Sequence, residues 1–114
     1  QIIDALVEEP FFQDCRHALS PDGVFVTNWW SGDKRYHRFI ERLLNVFEGR
    51  VLELPAESHG NMAVMAFQSS PKEQNLDKLK KRAEKLSGQY GLDFKRMLND
   101  LKANNPNNGK HFYL

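Results

Sequence analysis

Residues 19–29, Leu-Ser-Pro-Asp-Gly-Val-Phe-Val-Thr-Asn-Trp, decide how this chain is read. Ser20, Pro21, Asp22 and Gly23 concentrate four turn-forming residues, each able to set or tolerate a bend the chain must make. Val24 to Trp29 then follow as a short apolar run of β-branched and aromatic residues, the signature of a buried strand. A tight turn feeding a buried strand suggests a sheet that is covered on both sides.

Upstream of this strand, Ile2, Ile3, Leu6, Val7, Phe11, Phe12, Cys15 and Leu19 recur at helical spacing. Pro10 interrupts them, and proline is tolerated in the first turn of a helix, so the segment reads as helix, break, helix. Downstream, Ser31 and Gly32 break the chain and Asp33 is placed to cap a helix. Its stripe is Tyr36, Phe39, Ile40, Leu43, Leu44 and Phe47, and Gly49 ends it. Two strands follow, 51–54 and 61–68, joined by Pro55 to Gly60, a connection that suits a wide antiparallel hairpin rather than a crossover. The order α-β-α-β-β predicts an α/β fold with a mainly parallel sheet, helices on both faces and one antiparallel strand from the closing hairpin.

Beyond Ser69 the composition changes. Residues 69–75 read as a linker, 76–103 as a helical hairpin and 104–114 as a flexible tail. The hairpin carries two apolar stripes (Leu76, Leu79, Ala83, Leu86 and Phe94, Met97, Leu98, Leu101) with Gly88 and Gly91 between them. The tail is announced by Asn-Asn-Pro-Asn-Asn-Gly at 104–109. The net formal charge of +1 hides an asymmetry, about −4 over residues 1–70 and +5 over the remainder.

These features exclude several classes. The single cysteine, Cys15, cannot build a disulfide framework, and it lies in a helical apolar pattern rather than at a nucleophile turn. The four histidines show no HxH or HExxH spacing, so no metal site is expected. The longest apolar runs fall well short of the roughly 20 residues that span a bilayer. No membrane association and a cytoplasmic location are therefore expected. The basic run Lys78, Lys80, Lys81, Arg82 and Lys85 is interrupted by Asp77 and Glu84 without aromatic stacking residues. It reads as a solvated helix face rather than a nucleic-acid site. The opening residue is Gln1, with an apolar helical pattern already running, so the start reads as truncated.

The local words carry a resemblance. Phe11 and Phe12 resemble the paired aromatics of the spermidine synthase family, polyamine aminopropyltransferases, seven residues ahead of a leucine matched by Leu19. LSPDGVFVTN, Leu19 to Asn28, resembles that family's L-x-x-x-G-V-x-x-x-Q, and LPAESHGNMAVMAF, Leu54 to Phe67, is similar to its I-P-x-Y-P-S-G-x-x-G-F. Residues 1–68 resemble the C-terminal part of the family's Rossmann-like, class I methyltransferase-type domain.

The resemblance implies transfer of an aminopropyl group from decarboxylated S-adenosylmethionine, a co-substrate, to a diamine such as putrescine. It places the donor-binding and amine-assisting segments outside these residues. The chain alone is therefore expected to bind no cofactor, to be inactive and to supply only one wall of an acceptor pocket. That wall would hold Asn28 at the strand's end, Trp29 and Trp30 beside it as faces for a cationic amine, and Glu57 as a carboxylate partner. Gly60 and Asn61 match the hairpin turn. An apolar open strand edge suggests a homo-oligomer. Two other readings share parts of the pattern: a fragment of an S-adenosylmethionine-dependent methyltransferase, and a non-catalytic module whose basic hairpin binds an acidic partner.

Overall fold

Pro10 lies in the first turn of a helix in the computed structural model, which describes residues 8–56 and 60–114. The elements are α1 (Glu9–Ala18), β1 (Val24–Trp30), α2 (Tyr36–Val46), β2 (Val51–Pro55), β3 (Asn61–Phe67), α3 (Leu76–Tyr90) and α4 (Phe94–Asn104). They divide into two units, Gln1–Ser70 and Pro71–Leu114. The helix expected before Pro10 lies outside the described residues.

In the first unit the sheet differs from expectation. Its order is β1-β3-β2 and both pairings are antiparallel, Val24 facing Phe67 and Trp30 facing Asn61 on one side, Val51 facing Ala66 on the other. The connection between β2 and β3 is too short for a crossover, so β3 returns alongside β2 and occupies the place between it and β1. The two outer strands thus run parallel to each other without touching, and no parallel pairing forms among the described residues.

Nor do α1 and α2 cover both faces. Phe12 of α1, with Phe39, Leu43 and Val46 of α2, joins Phe47, Trp29, Val51, Val64 and Ala66 in one cluster. The strand residues among these all point to the same side by register, so both helices lie on that side. At the centre Trp29 stacks on Phe39, with centroids 4.1 Å apart and planes at 18°, while Phe12 meets the same ring edge-on at 5.5 Å. Such pairs contribute roughly 0.5–1.5 kcal/mol each beyond area burial. β1 is accordingly half-buried, not fully buried: Phe25, Thr27 and Trp29 face the helices, while Val24 and Val26 are exposed.

The ends of α2 also depart from the simple signals. Asp33 does not cap the helix; Arg35 is the N-cap residue and no side chain bonds there. Instead the Asp33 carboxylate accepts the Arg35 backbone N–H at 2.8 Å and pairs with its guanidinium at 3.0 Å, closing a local turn. At the other end Gly49 donates to the Leu44 carbonyl at 2.9 Å, the long bond of a Schellman motif. The left-handed position before it is held by Glu48, at φ 55°, where glycine is usual. Two arginines hold that glutamate: Arg50 at 3.0 Å and Arg16 at 3.3 Å. Arg16 also bonds Gln68 at 2.9 Å and the Val46 carbonyl, and Gln68 returns a bond to the Arg16 carbonyl at 2.8 Å. Through these bonds one cation ties α1 to the C-terminus of α2 and the exit of β3.

In the second unit Asn75 caps α3 by accepting the Lys78 N–H at 3.0 Å, and Asp93 caps α4 by accepting the Arg96 N–H at 3.0 Å. The helix α3 runs through Gly88 and stops at Gly91, whose φ of 69° makes the turn. The last eleven residues, expected as a flexible tail, fold back on this unit. Leu76 donates to the Lys110 carbonyl at 2.7 Å, Asn75 and His111 form a bridge, and Phe112 is buried. The asparagines that look like breakers serve as terminators, with Asn105 and Asn107 side chains donating to the Leu101 and Lys102 carbonyls at 2.8 Å. Among the described residues no helix is long and apolar enough to cross a membrane.

The Glu48 carboxyl is held below its ordinary range, chiefly by the hydrogen bond from Arg50 and then by the charge of Arg16. A lowered folded value adds stability above the unfolded carboxylate range of about 4 and loses it as pH falls through the folded value. Thermal melting should therefore fall below about pH 4. Glu48→Gln should lower the melting temperature at pH 7 and reduce the drop between pH 7 and pH 3.

Candidate functional site

The pleat of β1 separates the candidates. Trp29 points to the helices, and Asn28 and Trp30 point to the opposite face, because successive strand residues alternate. Trp29 is 3% exposed and Trp30 59%. The two neighbours thus occupy different environments.

Phe39 stacks on the Trp29 ring, and the Arg35 guanidinium lies over it 5.7 Å from the ring centroid. Its Nε1 is buried without a hydrogen-bond partner among the described residues. A groove of about 230 Å³ reaches this ring between Phe11, Phe12 and Phe25. Its walls are hydrocarbon apart from Thr27, an environment that would penalise a dication through desolvation. Trp29, expected as a face for the amine, is placed in the core of this unit.

Trp30 is arranged differently. A Cβ on Gly32 would lie 2.4 Å from the Trp30 ring, and one on Gly60 would lie 3.4 Å from its Nε1 and 3.2 Å from the Ser31 hydroxyl. The indole therefore lies across two glycines that leave room for it. Gly60 also has φ 69°, a left-handed conformation that glycine adopts without strain. Ser31 fastens the turn, its backbone N–H and its hydroxyl both donating to the Gly60 carbonyl at 2.8 and 2.7 Å. The result is an exposed aromatic face, fixed at its edges, where the end of β1 meets the β2–β3 turn. Asn28, also exposed, sits two residues back on the same face with an amide that can donate and accept. Asn61 pairs with Trp30 in register and begins β3. Glu57 lies outside the described residues.

The structure adds a polar pair that sequence reasoning did not single out. On the helix side of the sheet the Tyr36 hydroxyl donates to Glu53 Oε1. Burial, reinforced by that hydrogen bond and by the Glu53 charge, pushes the Tyr36 phenol well above its ordinary range. Alternation in Val-Leu-Glu-Leu-Pro groups Leu52 and Leu54 on one face and leaves Glu53 on the other, so the sequence did not mark it; its pairing with the buried Val64 turns it inward. Asp33 is the nearest carboxylate in sequence to Trp30. Its pKa is lowered, first by the side-chain hydrogen bond from Arg35 and then by the Arg35 backbone N–H. Among the described residues no cluster of three or more His, Cys, Asp or Glu is placed to hold a metal ion.

Comparison with known proteins gives a consistent set of relatives. Over all 114 residues the chain is 86% identical to the polyamine aminopropyltransferases of Neisseria meningitidis serogroup A and serogroup B. It is 60% identical, again over its full length, to the polyamine aminopropyltransferase of Chromobacterium violaceum. The chain spans 43% of the length of the first two and 44% of the third. No family model matches it, and no solved structure does.

Two outcomes test this geometry. Gly32→Ala should displace the Trp30 ring, and acrylamide quenching of tryptophan fluorescence should rise while the melting temperature changes little. In alkaline titration the Tyr36 phenolate should appear only above the ordinary tyrosine range near 10, because burial and the bonded Glu53 raise its folded value; the stability this gives is present below about 10 and lost as pH rises through the folded value. Tyr36→Phe should remove that late step in absorbance.

Proposed function

This chain belongs to the polyamine aminopropyltransferase family, and on that premise we propose that it forms the acceptor-side wall of such an enzyme. Trp30 offers the cationic amine a π-face and Asn28 a hydrogen-bonding amide. The observation that carries this is the exposed indole braced on Gly32 and Gly60 at the end of β1. Ligands of open α/β sheets collect at strand ends of this kind.

The proposed fold context is the closing part of a Rossmann-like, methyltransferase-type sheet. Two parallel outer strands with an antiparallel strand inserted between them are compatible with it. In the proposed reaction a neutral amine nitrogen of the diamine attacks the aminopropyl CH₂ next to the sulfonium of decarboxylated S-adenosylmethionine. The N–C bond forms as the C–S bond breaks, the sulfur leaves as a neutral thioether, and the new ammonium releases a proton. No residue described here is assigned to the donor. Asn28 and Trp30 would orient the acceptor and favour its cationic distal end, leaving the near amine free to react.

A chimera tests the proposal. The 114 residues of this chain would replace the corresponding stretch of the Neisseria meningitidis serogroup B enzyme, to which they are 86% identical. The chimera should transfer aminopropyl groups to putrescine. Trp30→Ala in it should raise KM for the diamine roughly 2- to 30-fold, the equivalent of a cation–π contact of about 0.5–2 kcal/mol, with a smaller effect on kcat. A folded chimera without transfer, or a Trp30→Ala variant with unchanged KM, would count against the role given to this wall.

A further inference from the structure

The second unit contains a cleft that the aminopropyl chemistry does not use. It holds about 370 Å³, within the range of small-molecule sites. We infer that it is an anion site whose ligand is a phosphorylated small molecule with at least two phosphate charges.

Helical spacing builds the cleft. Lys95, Asn99 and Lys102 recur at i, i+4 and i+7 on α4 and share one face, and Lys80 enters from the second turn of α3. Three ammonium groups and one amide thus line a single concavity. Leu76 and Leu98 complete the lining with apolar surface, able to contact the organic part of a ligand rather than its charge. Gly109 forms part of the rim, and a Cβ there would meet nothing within 4 Å, so the entrance is open.

The charge balance selects the ligand class. Asp77 is the one carboxylate in the lining, against three lysines. Lys95 is shared with Glu84 at 3.9 Å, an exposed contact that water and salt weaken. Among the described residues Lys80 and Lys102 have no ion-pair partner, whereas Lys78 is engaged by Glu73 at 3.7 Å. A cation would meet a net repulsive field, and a neutral ligand would leave the lysines unused. A monovalent anion would need only one of them. Lysines act on phosphate as point charges, and several converging on one site favour a compact multivalent oxyanion.

The test uses the 114-residue chain and inorganic pyrophosphate as probe, followed by isothermal titration calorimetry at fixed ionic strength set with sodium chloride. Saturable binding at one site is expected. Lys80→Gln combined with Lys102→Gln should weaken it about tenfold, since each removes one charged contact. Lys78→Gln combined with Lys81→Gln, on α3 but outside the cleft, should leave it unchanged. Circular dichroism checks that each variant is folded, and Asn99→Ala replaces the lysine pair should that variant fail to fold, again with weaker binding expected. Absence of saturation, equal weakening by the control pair, or binding of a 12-residue single-stranded oligonucleotide without binding of pyrophosphate would each overturn the inference.

Discussion

The insertion of β3 between β1 and β2 is the constraint on which the first unit depends. Because the β2–β3 connection is short, β3 must run antiparallel to β2, and its other edge is then the only partner β1 has among the described residues. That register fixes the pleat of all three strands together. It assigns Trp29, Val51, Val64 and Ala66 to the helices and Asn28 and Trp30 to the other side. A one-residue slip of β1 would exchange the two tryptophans and place an indole stacked on Phe39 in solvent, so core burial and the candidate site enforce the same register.

Much of this was legible in the sequence, for identifiable reasons. Leu19 to Asn28 gave a strand after a turn because Pro21, Asp22 and Gly23 can do little else before a β-branched run. The stripe from Tyr36 to Phe47 has a period that no strand could bury on one side. The local words around Phe11, Phe12 and the closing hairpin pointed to the family that the relatives carry by name. What could not be read was the partnering of strands. Alternation of elements suggested a parallel sheet because a missing or intervening strand leaves no mark in the residues on either side.

The candidate site was legible in place but not in parity. Adjacent tryptophans at a strand end have the same composition and the same local propensities, and only the burial of the opposite face of β1 tells them apart. The helix ends show a similar limit. Asp33 looks like a cap, yet Arg35 two residues on offers both a backbone N–H and a guanidinium, and the carboxylate takes those instead. Glu48 stands where glycine would be expected because Arg16 reaches it from α1 and Arg50 from just before β2. Arg16 is distant in sequence and Arg50, two residues on, lies beyond the helix, so helical spacing anticipates neither. The asparagines of 104–109 are turn formers in any context, but their amides also satisfy the last carbonyls of α4, and that second use requires the chain to return.

The electrostatics around Trp30 argue for what this wall does and does not contribute to the proposed reaction. Attack on a sulfonium carbon needs a neutral amine, so a proton must leave an ammonium whose ordinary pKa is near that of lysine, about 10. Asp33 is unsuited to receive it, since Arg35 holds its carboxyl below the ordinary range and occupies both oxygens. Tyr36 is unsuited for the opposite reason: burial keeps its phenol protonated, and its hydroxyl is directed to Glu53 on the far side of the sheet. The exposed indole and the Asn28 amide bind without accepting protons at neutral pH. The chemistry these residues can supply is therefore recognition of charge and orientation. Under the proposed reading deprotonation belongs to the larger share of the sequence that the relatives have and this chain does not span.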